Sequence, residues 1–216
     1  MKGLIIKDLL NLKKNFSAIL TLVIFYAFIA YTSEDSSVLI GMITMMLTMM
    51  TITSIAYDDL AKWDKYALAM PISRKDIILS KYILLIMLDM IGIAISIVIT
   101  FIITKLKGSD VNYLLIISYS IFAVSLIFGC IILPLIFKFG VEKSRLMMMG
   151  VFAVPVAVTY ILYKIGIKLP SEEVFYNILK LSPLVVLGAL LISYNISYSI
   201  YKKKDTVIYI VASDVT

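Results

Sequence analysis

The chain has 216 residues, 62% of them hydrophobic and 16% charged, with a net charge of +6. A soluble domain is nearer about 45–50% apolar and about 25% charged, so this surplus, with a mean hydropathy of +1.02, excludes one soluble core and intrinsic disorder. A single cysteine excludes a disulfide scaffold, and the lack of histidine excludes His-based triads, zinc motifs and general bases.

The chain opens with KGLIIKDLLNLKKNF, residues 2–16. At about 100° per residue, Ile5, Ile6, Leu9, Leu10, Leu12 and Phe16 share one arc. Lys7, Asp8, Asn11, Lys14 and Asn15 share the opposite one. This pattern predicts an interfacial helix flat on the membrane, with lysines toward lipid phosphates. It is either an anchor alone or an anchor whose polar face also holds a partner.

A crossing helix needs about 20 apolar residues. Six spans are expected, over 16–31, 38–57, 82–104, 113–137, 147–163 and 181–201. The first is read as a retained span, because no small-residue cleavage site follows it. The second is two-faced. Met42, Met45, Met46, Met49 and Met50 lie on one side, and Thr44, Thr48 and Thr51 on the other. Threonine at this spacing suits close helix contact. The adaptable Met face packs helices, meets lipid, or lines a path for loosely selected apolar cargo.

The connection 58–80 carries the only tryptophan, Trp63. Leu60, Trp63, Ala67 and Met70 recur at helical spacing, so a short amphipathic helix is expected, stopped by Pro71. Ser73 followed by Asp76 is a capping pattern that starts the next helix. Trp63 marks either a docking surface or a headgroup-level belt residue. In the third span, Asp89 lies about 10 Å past Tyr82 at 1.5 Å per residue. Gly92, Ser96 and Thr100 continue its stripe. An acid at that depth faces protein or water. It lines a translocation path, together with Ser96, Thr100, Met42, Met45 and Met49, or it is structural.

Pro155 and Pro134 are expected to kink the fifth and fourth spans. A short outer helix is expected within 165–177. After the triple lysine, residues 205–216 alternate like a strand and read as a tail, a donated edge strand or an appended remnant. The remainder, 1–204, reads as one transmembrane domain.

Orientation follows from the basic residues. With both ends inside, the inner side holds Lys2, Lys7, Lys13, Lys14, Lys62, Lys65, Arg74, Lys75, Lys81, Lys138, Lys143, Arg145, Lys202, Lys203 and Lys204. The outer side holds Lys105, Lys107, Lys164, Lys168 and Lys180. Fifteen of the 20 basic residues therefore lie inside. The positive charge is thus topological and does not point to nucleic acid.

The stretch DDLAKWDKYALAMPISRKDIILSKY, with the opening MKGLIIKDLLNLKK and the six-span order, resembles type-2 ATP-binding-cassette (ABC) transporter permeases. It looks most like the short bacterial permeases that export amphipathic peptides, the phenol-soluble-modulin type. The resemblance implies a permease in the bacterial cell membrane with both termini cytoplasmic, a second permease copy or paralogue, and a separate ATPase that binds ATP and Mg. It also implies that the first loop is a coupling helix, with Asp59, Trp63, Tyr66, Pro71 and Arg74 at or behind the ATPase contact. Export, rather than import, comes from the resemblance alone. None of the nine glycines is followed by lysine, so the chain has no P-loop of its own. No metal or cofactor site is expected in it. An intramembrane aspartyl protease needs two acids, and only Asp89 is deep enough. The competing class is a non-transporting immunity or sensor subunit that binds peptides and recruits a partner.

Overall fold

The computed structural model describes residues 1–33, 37–63, 66–67, 70–108, 114–165 and 172–213, with the backbone alone for 172–178 and 204–213. Its elements are helices: α1 (Lys2–Lys13), α2 (Phe16–Thr32), α3 (Val38–Leu60), α4 (Arg74–Leu106), α5 (Leu114–Phe139), α6 (Val141–Lys164) and α7 (Glu172–Ser213). Among the described residues five helices are long and apolar enough to cross a membrane, or six with the α1–α2 pair, bent by 66°, taken as one span. The all-α membrane reading therefore holds. The 17 residues of α2 reach only about 25 Å at 1.5 Å per residue, a little short of the hydrocarbon thickness.

The chain divides into two compact units, Met1–Gly129 and Cys130–Thr216, with the division inside α5. In the first unit α3 packs along α4. Thr44, Thr48 and Thr51 of α3 are buried, as are Asp89, Gly92, Ser96 and Thr100 of α4. Small residues set the spacing. A Cβ added at Gly92 would lie 3.1 Å from the Thr44 Cα, so the α3 and α4 backbones approach closely. Association in lipid depends on such packing, because the surrounding tails are as apolar as the helix surfaces. On the other side of α3, Ile19, Val23, Tyr26 and Ala27 of α2 pack around Ala30, Leu39, Ile43, Leu47 and Ile103, joined by Met46 and Met50. Lys107, the residue after α4, donates its Nζ to the carbonyls of Ala30 (2.8 Å) and Ser33. It thereby occupies carbonyls that the end of α2 leaves open.

The sequence boundaries need four corrections. First, α1 ends at Lys13, and Asp8 of its polar arc turns inward, with Lys7, Asn11 and Asn15 half-buried and Lys14 exposed. Asp8 is fully buried with Leu4 and Leu12, whereas Ile6, Leu9, Leu10 and Phe16 are exposed. In a bilayer the apolar arc has its favourable solvent outside the protein, and the charges find partners within it. Second, α3 runs past its expected end to Leu60, and Lys62 breaks the chain with φ +50°. Third, α5 and α6 are separated by Gly140 alone, whose φ of +79° is readily taken only by glycine. The helix that holds the fifth span thus begins earlier, at Val141. Fourth, the strand-like alternation after the lysines is helical as far as Ser213. Propagating a formed helix costs far less than starting a new element.

The N-terminus of α4 is as expected, with Ser73 Oγ accepting the Asp76 N–H at 3.1 Å. Of the short loop helix, Trp63, Tyr66 and Ala67 have helical backbone, while 64–65 and 68–69 lie outside the described residues. Helix α7 is continuous from Glu172, so the described part of the outer helix belongs to it, and 166–171 lie outside the described residues. In the second unit, Ser193 Oγ of α7 donates to the Cys130 carbonyl of α5 at 2.5 Å. Phe137 and Tyr201 meet edge-to-face at 5.9 Å. Only Val141, Ser144 and Met148 of α6 are buried.

Candidate functional site

Two polar constellations lie in the first unit. The first joins α1 to the loop-side ends of α3 and α4. Lys81 is a basic residue within the buried stripe of α4 that includes Ile77, Ile78, Leu84, Leu85 and Leu88. Its ammonium has three protons to place. It contacts both Asp8 oxygens at 2.9 Å, Asp58 Oδ2 at 2.6 Å and Ser54 Oγ at 3.4 Å. Lys7 closes the figure, 2.7 Å from Asp58 Oδ1 and 3.2 Å from Asp8 Oδ1. Each lysine touches each aspartate, so the cluster is neutral. Lys7 also stands over the Trp63 ring, 4.3 Å from its centroid. Three helices and the start of the loop are thereby tied at one end of the bundle.

The second constellation lies mid-span. Asp89 Oδ1 accepts from Thr48 Oγ1 of α3 at 2.8 Å and from Ser125 Oγ of α5 at 2.5 Å. Asp89 Oδ2, Thr44 Oγ1, Thr51 Oγ1 and Thr100 Oγ1 are buried without a hydrogen-bond partner among the described residues. Ser96 Oγ donates to its own helix at the Ile93 carbonyl, 3.0 Å away. The stripe faces protein, as its chemistry requires. Its acid is held by hydroxyls on two neighbouring helices.

The remaining residues singled out from the sequence divide between these regions. Met42 is exposed, Met45 and Met49 are half-buried, and Met46 and Met50 belong to the packing against α2. Met46 and Met50 are half-buried as well, so Met42 is the one exposed methionine of this face. In the loop, Asp59, Tyr66 and Pro71 are exposed, Trp63 and Arg74 are half-buried and Ala67 is buried. Leu60, Tyr66 and Met70 expose 80%, 61% and 43% of their surface, which leaves apolar groups uncovered on a connection fixed at both ends. Sequence reasoning singled out Asp59 and passed over its buried neighbour Asp58. It placed Asp8 on the polar arc of the first helix and counted Lys81 among the inner basic residues, without joining them. One signal was present: a lysine at a core position of α4 requires a counter-charge nearby. Its partner Asp8 is 73 positions away, beyond any local pattern.

The folded chain is an all-helical, multi-pass membrane protein with a buried charge cluster at one end of three helices and a further buried acid, Asp89, mid-span. Residues 3–202 match the family of ABC-2 family transporter proteins, and the chain belongs to that family. It is a membrane permease component of an ABC transporter. No curated protein and no solved structure matches it.

Proposed function

We propose that the chain is the permease of a bacterial exporter for amphipathic or hydrophobic peptides, driven by a separate ATPase. Two permeases, identical or paralogous, form the path, and both termini lie in the cytoplasm. The ATPase binds ATP and Mg and docks on the loop through Asp59, Trp63, Tyr66, Pro71 and Arg74. The observation that carries this reading is the exposed apolar surface of Leu60, Tyr66 and Met70 on a connection whose flanking helices are locked together by buried charges. Docking hot spots favour such aromatic and Arg groups. A push on the loop reaches α3 and α4 together, because Lys81 and Asp58 join them at its base.

The part of the Met face outside the α2 packing, exposed Met42 with half-buried Met45 and Met49, is proposed to line the path. Met side chains repack around varied apolar groups. Asp89, Ser96 and Thr100 border the path only when α3 and α4 part, and their burial supports a tie between helices. The test is co-purification. An ATPase encoded beside this chain is expected to co-purify with it, and Trp63→Ala with Arg74→Glu is expected to release it while the permease still elutes intact. Retention of the ATPase by that double variant overturns the docking assignment. ATP-dependent peptide uptake into inverted vesicles separates the exporter from an immunity or sensor subunit, which binds peptide without moving it.

A further inference from the structure

A cavity of about 490 Å³ opens beside the charge cluster, between the polar arc of α1 and the end of α3. Lys7, Asn11, Lys14, Tyr57, Asp58 and Trp63 are among its walls. Small-ligand sites occupy roughly 300–1,000 Å³, so the space is sufficient. Charge decides the class of ligand. Asp58 is already matched by Lys7 and Lys81, and Asp8 by the same two lysines. These four charges cancel. Lys14 remains, exposed and without an ion-pair partner among the described residues. Asn11 and Lys14 are three positions apart and so share one face of the helix path. Among the described residues the cavity therefore offers net positive charge, an amide donor and an aromatic wall, which together select an anion.

The setting narrows the anion further. Helix α1 leaves α2 at 66°, an angle that lays it toward the membrane plane when α2 crosses. Ile6 and Leu10, on the arc next to Lys14, expose 56% and 60% of their surface. A ligand in this place meets donors at one end and apolar surface at the other.

We propose that the cavity binds the phosphate headgroup of one anionic phospholipid, with Lys14 and Asn11 donating to the phosphate oxygens and the acyl chains lying over Ile6 and Leu10. The lipid then fastens α1 to the end of α3 from outside, as Lys81 does from within. This inference requires only the chain and a bilayer, and it stands apart from the export reading.

Trp63 supplies the probe, since it is the chain's only tryptophan and lines the cavity. The full chain, in nanodiscs of phosphatidylcholine, is titrated with short-chain phosphatidylglycerol while Trp63 fluorescence is followed. A saturable change is expected, with none from short-chain phosphatidylcholine. Lys14→Gln is expected to weaken the response by roughly tenfold or more, the worth of one charge-assisted hydrogen bond. Lys13→Gln, on the other arc, is expected to leave it unchanged. Both positions are exposed, so neither variant threatens the fold, and elution of each confirms that. Absence of saturation overturns the proposal, as does an equal effect of the two variants. Saturation by inorganic phosphate over the same concentrations overturns the lipid assignment in favour of a free anion.

Discussion

Lys81 is 4% exposed and Asp8 is fully buried, so neither charge is tolerable alone. Removing one member of a buried pair costs about 3–5 kcal/mol, whereas replacing both with apolar or neutral groups is often close to neutral. Lys81→Met is therefore expected to lower the melting temperature of the purified chain sharply. Asp8→Asn added to it is expected to recover part of the loss, measured as monodisperse elution after heating. Additive losses would show that the two side chains do not act as a pair. At Asp89 the expectation is the reverse. An asparagine oxygen accepts the same two hydroxyl bonds from Thr48 and Ser125, so Asp89→Asn is expected to shift stability by less than about 1 kcal/mol, the net worth of one hydrogen bond. The inward direction of the Asp89 stripe was legible from its helical spacing. Its acceptance from Thr48 and Ser125 was not, because hydroxyls on other helices leave no trace in local periodicity. The same limit hid the Asp8–Lys81 contact.

Among the elements, glycine sets how closely helices approach. A Cβ at Gly129 of α5 would stand 2.6 Å from Leu85 Cδ1 of α4. Overpacking of this kind costs about 1–3 kcal/mol. Gly129→Ala is expected to destabilise the chain by that amount, and Leu85→Val is expected to restore part of it by removing the clashing methyls. Thermal melts of the two single variants and the double variant check this. The element map was largely readable, because runs of apolar residues long enough to cross a bilayer have few alternatives. Three features escaped for definite reasons. Asp8 on the polar arc of α1 faces inward because the apolar solvent lies outside, which inverts the usual amphipathic reading at that position. Gly140 separates α5 from α6 with one residue where a charged loop was expected. The alternation after Lys204 has the period of a strand, but the preceding helix carries through it to Ser213.

At the scale of the whole molecule, the basic residues specify an orientation that can be tested directly. Cys130, the only cysteine, is buried, so introduced thiols report sidedness. In intact cells, Ser109→Cys is expected to react with a membrane-impermeant maleimide. Lys62→Cys is expected to be protected until the membrane is opened. The opposite pattern would reverse the topology and move the charge cluster, the loop and α1 to the outer face. With the loop inside, three features of the first unit follow one another: exposed apolar groups on the loop, a neutral knot of four charges at its base, and two closely packed helices that carry Asp89 and the Met face.

The direct measurement is ATP-driven uptake of a labelled cationic amphipathic peptide into inverted vesicles containing the permease and its ATPase. The account predicts uptake by the native chain and its loss in the Trp63→Ala, Arg74→Glu variant at equal permease content. Undiminished uptake by that variant would contradict it.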